Sequence, residues 1–199
     1  FKIWSLEKAL GQYSNKDITI TISSETQNTV AHEVGHYLDY RFARELGIDN
    51  TALSGGNINY EYLKEKYNLS DEQISWSKEF VRFTDNLVKK SEIGSSANRA
   101  EYLQKPTEVF ARFTAEFVDW VSTNSGYNYS EMNYYDDKFD TSDYYNFIKL
   151  LQKKGEIDTK YKIQPIIKKG IGSVNKSEKP FPEIKTGKEQ LAEREAAKV

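Results

Sequence analysis

Both histidines of the chain fall in one five-residue stretch, His32-Glu33-Val34-Gly35-His36, and that stretch limits what the chain can fold into. Residues four apart share a face on an α-helix. As a helix, the stretch points His32 and His36 together, so that two imidazoles can bind one metal ion. Glu33, one residue past His32, then projects beside the metal rather than into its ligand set. That is where a general base takes a proton from metal-bound water. Imidazole and carboxylate ligation with an open position suits Zn2+. The same pattern also arises by chance, as a pair of core histidines. Three features argue against coincidence here: no histidine lies elsewhere, the surrounding residues form a capped amphipathic helix, and a strand precedes them.

The flanking residues supply that setting. Asp17-Ile18-Thr19-Ile20-Thr21-Ile22-Ser23 alternates strictly, which predicts a strand with its Ile face inward and its Thr face outward. Ser24-Glu25-Thr26-Gln27 has the form of a capping box, opening a helix that runs to about Leu46 and stops at Gly47. Asp39 lies on the same stripe as the histidines and is a candidate to orient an imidazole from behind. The competing readings are a solvated Asp, a helix salt bridge to Arg41 or Arg44, or a ligand.

A catalytic zinc needs a third protein ligand. With no cysteine and no third histidine, it must be a carboxylate or a tyrosine. Pro106-Thr107-Glu108-Val109-Phe110-Ala111-Arg112-Phe113 begins a strongly apolar helix over about 107–122, and Glu108 sits in its first turn. A carboxylate near so apolar a face needs a partner, which a metal would supply. Alternatively, Glu108 is simply favoured there by the helix dipole. Glu116 is the second candidate, unless Glu108 and Glu116 bracket Arg112 in an i, i+4 ladder. Tyr102, six residues before Glu108, could donate to a developing oxyanion, though packing or surface placement is the ordinary fate of one tyrosine among 14.

The remaining pattern predicts an α+β, mostly helical domain over 1–154 with a small sheet. Helices are expected over 2–11 (Ile3, Leu6 and Leu10, stopped by Gly11), 58–67, 70–90 and 142–153, with loops at 48–57, 91–100 and 124–139. At 199 residues the chain is long enough for one cored domain, and its 14% aromatic content predicts a core built partly from rings. Residues 155–199 change character. Three of the four prolines lie there, and residues 160–199 carry ten Lys or Arg against five Glu. This predicts a basic arm or linker ending in a short charged helix near 186–197. A net charge of −2 gives no global argument for nucleic acid, which leaves this arm as its one plausible contact. No apolar run reaches membrane-spanning length. The absence of cysteine fits a reducing compartment, favouring a cytoplasmic or virion-associated setting over secretion. A start at Phe1 rather than Met leads us to expect part of a larger polypeptide.

Ala31-His32-Glu33-Val34-Gly35-His36-Tyr37-Leu38-Asp39 together with Pro106-Thr107-Glu108-Val109-Phe110-Ala111-Arg112-Phe113 resembles two related groups. One is the zincin peptidases of the anthrax lethal factor and Pro-Pro endopeptidase type. The other is the zincin-like metallopeptidase domain of large polyvalent proteins from phages and conjugative elements. Ala9-Leu10-Gly11, the Ile strand and Ala111-Arg112 make the second group the closer match. The resemblance spans roughly residues 4–122. It implies a zincin-like fold, His32, His36 and Glu108 as zinc ligands, Glu33 as general base and Tyr102 as oxyanion stabiliser. The Tyr102-to-Glu108 spacing is one residue shorter than in the lethal-factor pattern. The implied activity is a zinc-dependent endopeptidase acting on a peptide or protein substrate. An extended substrate is expected to add to the strand at 17–23 in a cleft beside the motif helix. Two alternatives stand beside this: a non-catalytic, zinc-stabilised module of a virion or mobile-element protein, associated with nucleic acid through the arm, and a self-processing protease of a larger precursor.

Overall fold

The computed structural model of the chain describes residues 2–3, 11–22, 27–91, 97–124 and 137–159. Within them, six helices accompany a small sheet, so the fold is α+β and mostly helical. Strands β1 (Lys2–Ile3), β2 (Gly11–Ser14) and β3 (Thr19–Ile22) lie in the order β1-β3-β2, with β1 parallel and β2 antiparallel to β3. Of the helix expected over 2–11, residues 4–10, with Leu6 and Leu10, lie outside the described residues, and the two ends are corrected. Lys2–Ile3 pairs with Thr21–Ile22, and Gly11 opens a strand opposite Ile22 instead of closing a helix. Ile3 takes a strand conformation because it pairs with Ile22, a β-branched neighbour from another part of the chain.

A turn over residues 15–18 returns β2 into β3, and it takes Ile18 out of the predicted strand. Ile18 has φ +51° and is 57% exposed, whereas Ile22 is the buried member of the Ile series. A β-branched residue in the left-handed region is strained. Here the tight reversal between the Ser14 and Thr19 pair imposes that conformation.

Helix α1 (Gln27–Arg44) carries the motif. The capping box predicted from Ser24 lies outside the described residues. The other end closes as expected. Gly47, at φ +78°, donates its N–H to the Arg44 carbonyl (2.9 Å), and Ile48 donates to the Ala43 carbonyl (3.0 Å), the pairing that a left-handed glycine permits after a last turn. Helix α2 (Tyr60–Tyr67) is capped by Asn59, and α3 (Asp71–Lys90) by the predicted Ser70–Gln73 capping box. Helix α4 (Ala97–Leu103) occupies part of the expected loop at 91–100. It is seven residues long, too short for an amphipathic period to show, and its order comes from the helix it abuts. Helix α5 (Pro106–Asn124) begins at its proline, whose missing N–H costs nothing in a first turn. Helix α6 (Thr141–Lys154) runs from an Asp140 capping box to a left-handed Gly155.

The core is built from rings. Val109, Phe110, Ala111, Arg112, Phe113 and Thr114 are buried in succession, so the first half of α5 is enclosed nearly all round, packing against both α1 and α3. Phe110 meets Phe80 edge-on at 5.0 Å, and Phe113 meets Phe83 at 5.2 Å and Phe147 at 5.4 Å. Such pairs each add about 0.5–1.5 kcal/mol beyond the burial of their area. The folded body continues past the boundary expected at 154, because Glu156 pairs with Arg41 at 2.7 Å. The basic arm over 160–199 and its expected helix near 186–197 lie outside the described residues. Among the described residues no helix is long and apolar enough to cross a membrane.

Candidate metal centre

The site forms where α1 and α5 approach most closely, and a glycine sets that approach. A Cβ on Gly35 would lie 2.7 Å from the Ala111 Cα and 2.9 Å from the Thr114 Oγ1. An unsubstituted Gly35 thus lets the backbone of α5 come against α1. Glu108, three residues before Ala111, is carried to the histidines. His32 Nε2 lies 3.6 Å from one Glu108 carboxylate oxygen and His36 Nε2 lies 3.5 Å from the other. One ligand atom from each of the three residues falls within a group whose members all lie within 4.8 Å of one another.

These separations suit a shared cation. An N–H···O bond would close to about 2.9 Å. Ligand bonds of roughly 2.0–2.2 Å in a tetrahedral shell leave neighbouring ligand atoms about 3.3–3.6 Å apart. His32, His36 and Glu108 can therefore hold a metal ion. Burial and the neighbouring His32 push His36 down to about 4, against the pull of Glu108, so at neutral pH its ring is in the neutral form a metal requires. Burial alone would raise Glu108, but contacts with His32, the Tyr102 hydroxyl and His36 outweigh it and hold the carboxyl below its usual range.

Glu33 is buried on the adjoining stripe of α1, where Gly11 of β2 comes against it. A Cβ on Gly11 would lie 2.9 Å from both the Cγ and the Oε1 of Glu33 and 2.7 Å from the Thr29 Cγ2. The backbone N–H of Tyr13 donates to the Glu33 carboxylate. Burial raises the Glu33 pKa, the His32 ring opposes this, and the Glu108 carboxylate adds to it. The hairpin is fastened to α1 further along, where Arg44 donates to the Tyr13 hydroxyl (3.1 Å) and to the Asn15 side chain (2.5 Å).

Tyr102 reaches the site from α4. Its hydroxyl donates to Glu108 at 2.5 Å, so the six-residue spacing suffices. The turn hydrogen bonds from Lys105 N–H to the Tyr102 carbonyl and from Glu108 N–H to the Lys105 carbonyl explain why. They fold α4 directly onto the first turn of α5.

Asp39 is placed elsewhere. It is fully buried, and both its carboxylate oxygens accept from Ser54, one from the backbone N–H at 2.8 Å and the other from the hydroxyl. Burial pushes it up to about 6 in spite of those bonds. It anchors the Leu53–Ser54 turn instead of backing an imidazole, because Ser54 takes both of its carboxylate oxygens although Asp39 shares a stripe with the histidines. Glu116 is likewise outside the ligand group, two turns beyond Glu108, where it accepts from the Tyr144 hydroxyl at 3.4 Å. Arg112 donates to Asp137, Ser91 and the Leu103 carbonyl, and its charge also acts on the Glu116 carboxyl, so it serves more than a Glu108–Glu116 ladder.

The cleft expectation also changes. The strand at 19–22 is the central one, paired on both sides, and β2 is the strand lying against Glu33. Sequence reasoning did not anticipate the parts played by Gly11, Gly35 and the Tyr13 N–H. A glycine inside an amphipathic helix was the available signal at position 35, since it costs about 1 kcal/mol relative to Ala and so marks a packing need.

Comparisons with protein-family models, with curated proteins and with solved structures return no match.

Proposed function

We propose that the chain is a zincin-like, zinc-dependent endopeptidase domain of the kind found in polyvalent proteins of phages and conjugative elements. The observation that carries this reading is the convergence of His32, His36 and Glu108 at separations of 3.5 and 3.6 Å, with buried Glu33 next in line. Zinc held by those three residues would polarise a scissile carbonyl and acidify the attacking water. Glu33 takes the proton of that water and passes it to the leaving amine. Its burial suits it to the task, because a raised pKa makes a carboxylate a stronger base at neutral pH. Gly11 and the Tyr13 N–H hold the Glu33 carboxylate in place from the sheet side. Tyr102, with its hydroxyl at Glu108, is within the site to donate to an oxyanion. The strand to which an extended peptide would add is β2, the one beside Glu33.

The test is cleavage of a peptide library by the wild type and by Glu33→Gln, with zinc content measured for both. The expected result is equal zinc in the two proteins and cleavage slower by about 10²–10⁴-fold in the variant. Undiminished cleavage by zinc-loaded Glu33→Gln would sink the proposal.

A further inference from the structure

We infer that Arg112 is a positioning residue for the metal site, fixing the α4–α5 corner so that the Tyr102 hydroxyl stays on Glu108. The inference rests on the reading of His32, His36 and Glu108 as metal ligands. Arg112 is 2% exposed, and its guanidinium fork is fully directed. Nε and Nη2 face the two Asp137 oxygens at 2.6 and 3.2 Å, Nη2 also donates to the Ser91 Oγ at 2.7 Å, and Nη1 donates to the Leu103 carbonyl at 2.8 Å. That last contact is the consequential one. Leu103 ends α4, where carbonyls have lost their helical partners, and it is the residue next to Tyr102. Tyr102 is 49% exposed, with the Lys105 Nζ 5.6 Å from its ring centroid. A half-exposed side chain takes its position largely from its backbone, so where the corner is held decides whether its hydroxyl meets Glu108. Arg112 lies one turn after Glu108 on α5 and reaches back to the end of α4, so one side chain ties the helix that carries the ligand to the helix that carries its hydrogen-bond donor. A planar fork can satisfy Asp137, Ser91 and Leu103 together, which the single ammonium of a lysine cannot do.

The probes are Zn2+ and Co2+. Affinity is measured against a competing chelator, and the Co2+ absorption spectrum is recorded, for the wild type, Tyr102→Phe, Arg112→Lys and the double variant. Losing a hydrogen bond to a metal ligand lowers affinity by about 10–100-fold, and Tyr102→Phe is expected to do so. Arg112→Lys keeps the charge opposite Asp137, and it is expected to weaken binding by no more than Tyr102→Phe and to shift the Co2+ spectrum. In the Tyr102→Phe background it is expected to add nothing. A purely structural Arg112 would lower the melting temperature and leave the affinity of the folded protein unchanged, or add its effect in full to that of Tyr102→Phe. Either result overturns the inference. Should Arg112→Lys fail to fold, the isosteric Asp137→Asn carries the same cycle, and affinity lost equally with and without the Tyr102 hydroxyl overturns it. A wild type that binds neither ion overturns the ligand reading and this inference with it, an outcome distinct from a wild type that binds and an Arg112→Lys that binds equally well.

Discussion

Gly35→Ala separates the packing argument from helix propensity by the sign of its effect. In an exposed helix interior the substitution stabilises by about 1 kcal/mol, since alanine is the better helix former. Here the new methyl would stand 2.7 Å from the Ala111 Cα and 2.9 and 3.0 Å from the Thr114 Oγ1 and Cβ. Carbon atoms rest at about 3.5–4.0 Å, so α1 and α5 must part by roughly 1 Å. Overpacking of this kind costs about 1–3 kcal/mol, which leaves a net loss of about 0–2 kcal/mol once propensity is credited. The larger effect falls on the site. Glu108 sits one turn from Ala111 and moves with α5, while metal–ligand distances tolerate only about 0.2 Å. Zinc affinity should drop by about 10–100-fold, the size of loss that follows when the support of a metal ligand is disturbed. Zinc titration against a chelator and denaturant unfolding of the apo protein measure the two effects. A Gly35→Ala protein that is about 1 kcal/mol more stable and binds zinc undiminished would refute the close-approach reasoning.

Gly11→Ala perturbs the other side of the motif, displacing β2 from Thr29 and Glu33, so it should cut cleavage at least tenfold while zinc affinity stays within about twofold, as read by the same titration beside a peptide assay. Phe113→Ala removes a fully buried ring that touches Phe83, Phe117 and Phe147, and chemical denaturation should show a loss of about 3–5 kcal/mol. Burial, reinforced by Asp137, pushes Glu116 up to about 7 from 4.5. Between those values the unfolded chain releases a proton that the folded chain retains, so this group's contribution to stability is full below pH 4.5 and declines as pH rises to about 7. Glu116→Gln should flatten that part of the stability–pH curve, and an unchanged slope in urea melts across that range would count against the burial of its carboxyl.

The local devices were legible because they are written within a few residues. The Ser70–Gln73 capping box, Pro106 at a first turn, Gly47 past the end of α1 and the four-residue histidine spacing each act through neighbours along the chain. Glu108 was legible as well, since a carboxylate opening an apolar helix is chemically conspicuous. Other positions misled because their environment is supplied from afar. Ile3 opens a helical period, yet Lys2–Ile3 pairs with Thr21–Ile22, residues that no local window contains. Asp39 shares a stripe with His32 and His36, but the turn at Ser54 claims its carboxylate.

His32-Glu33-Val34-Gly35-His36 by itself determined a helix, a pair of aligned imidazoles and a carboxylate beside them, because helical geometry fixes which residues four apart face the same way. Whether the pair becomes a three-ligand set was decided only in the tertiary structure. It depends on how near the helices carrying His36 and Glu108, 72 positions apart along the chain, can come, and that distance is set by the missing Cβ at Gly35 against Ala111 and Thr114. The same holds for Glu33, whose neighbours Gly11 and Tyr13 come from β2, a strand whose first residue the local periodicity had read as a helix stop.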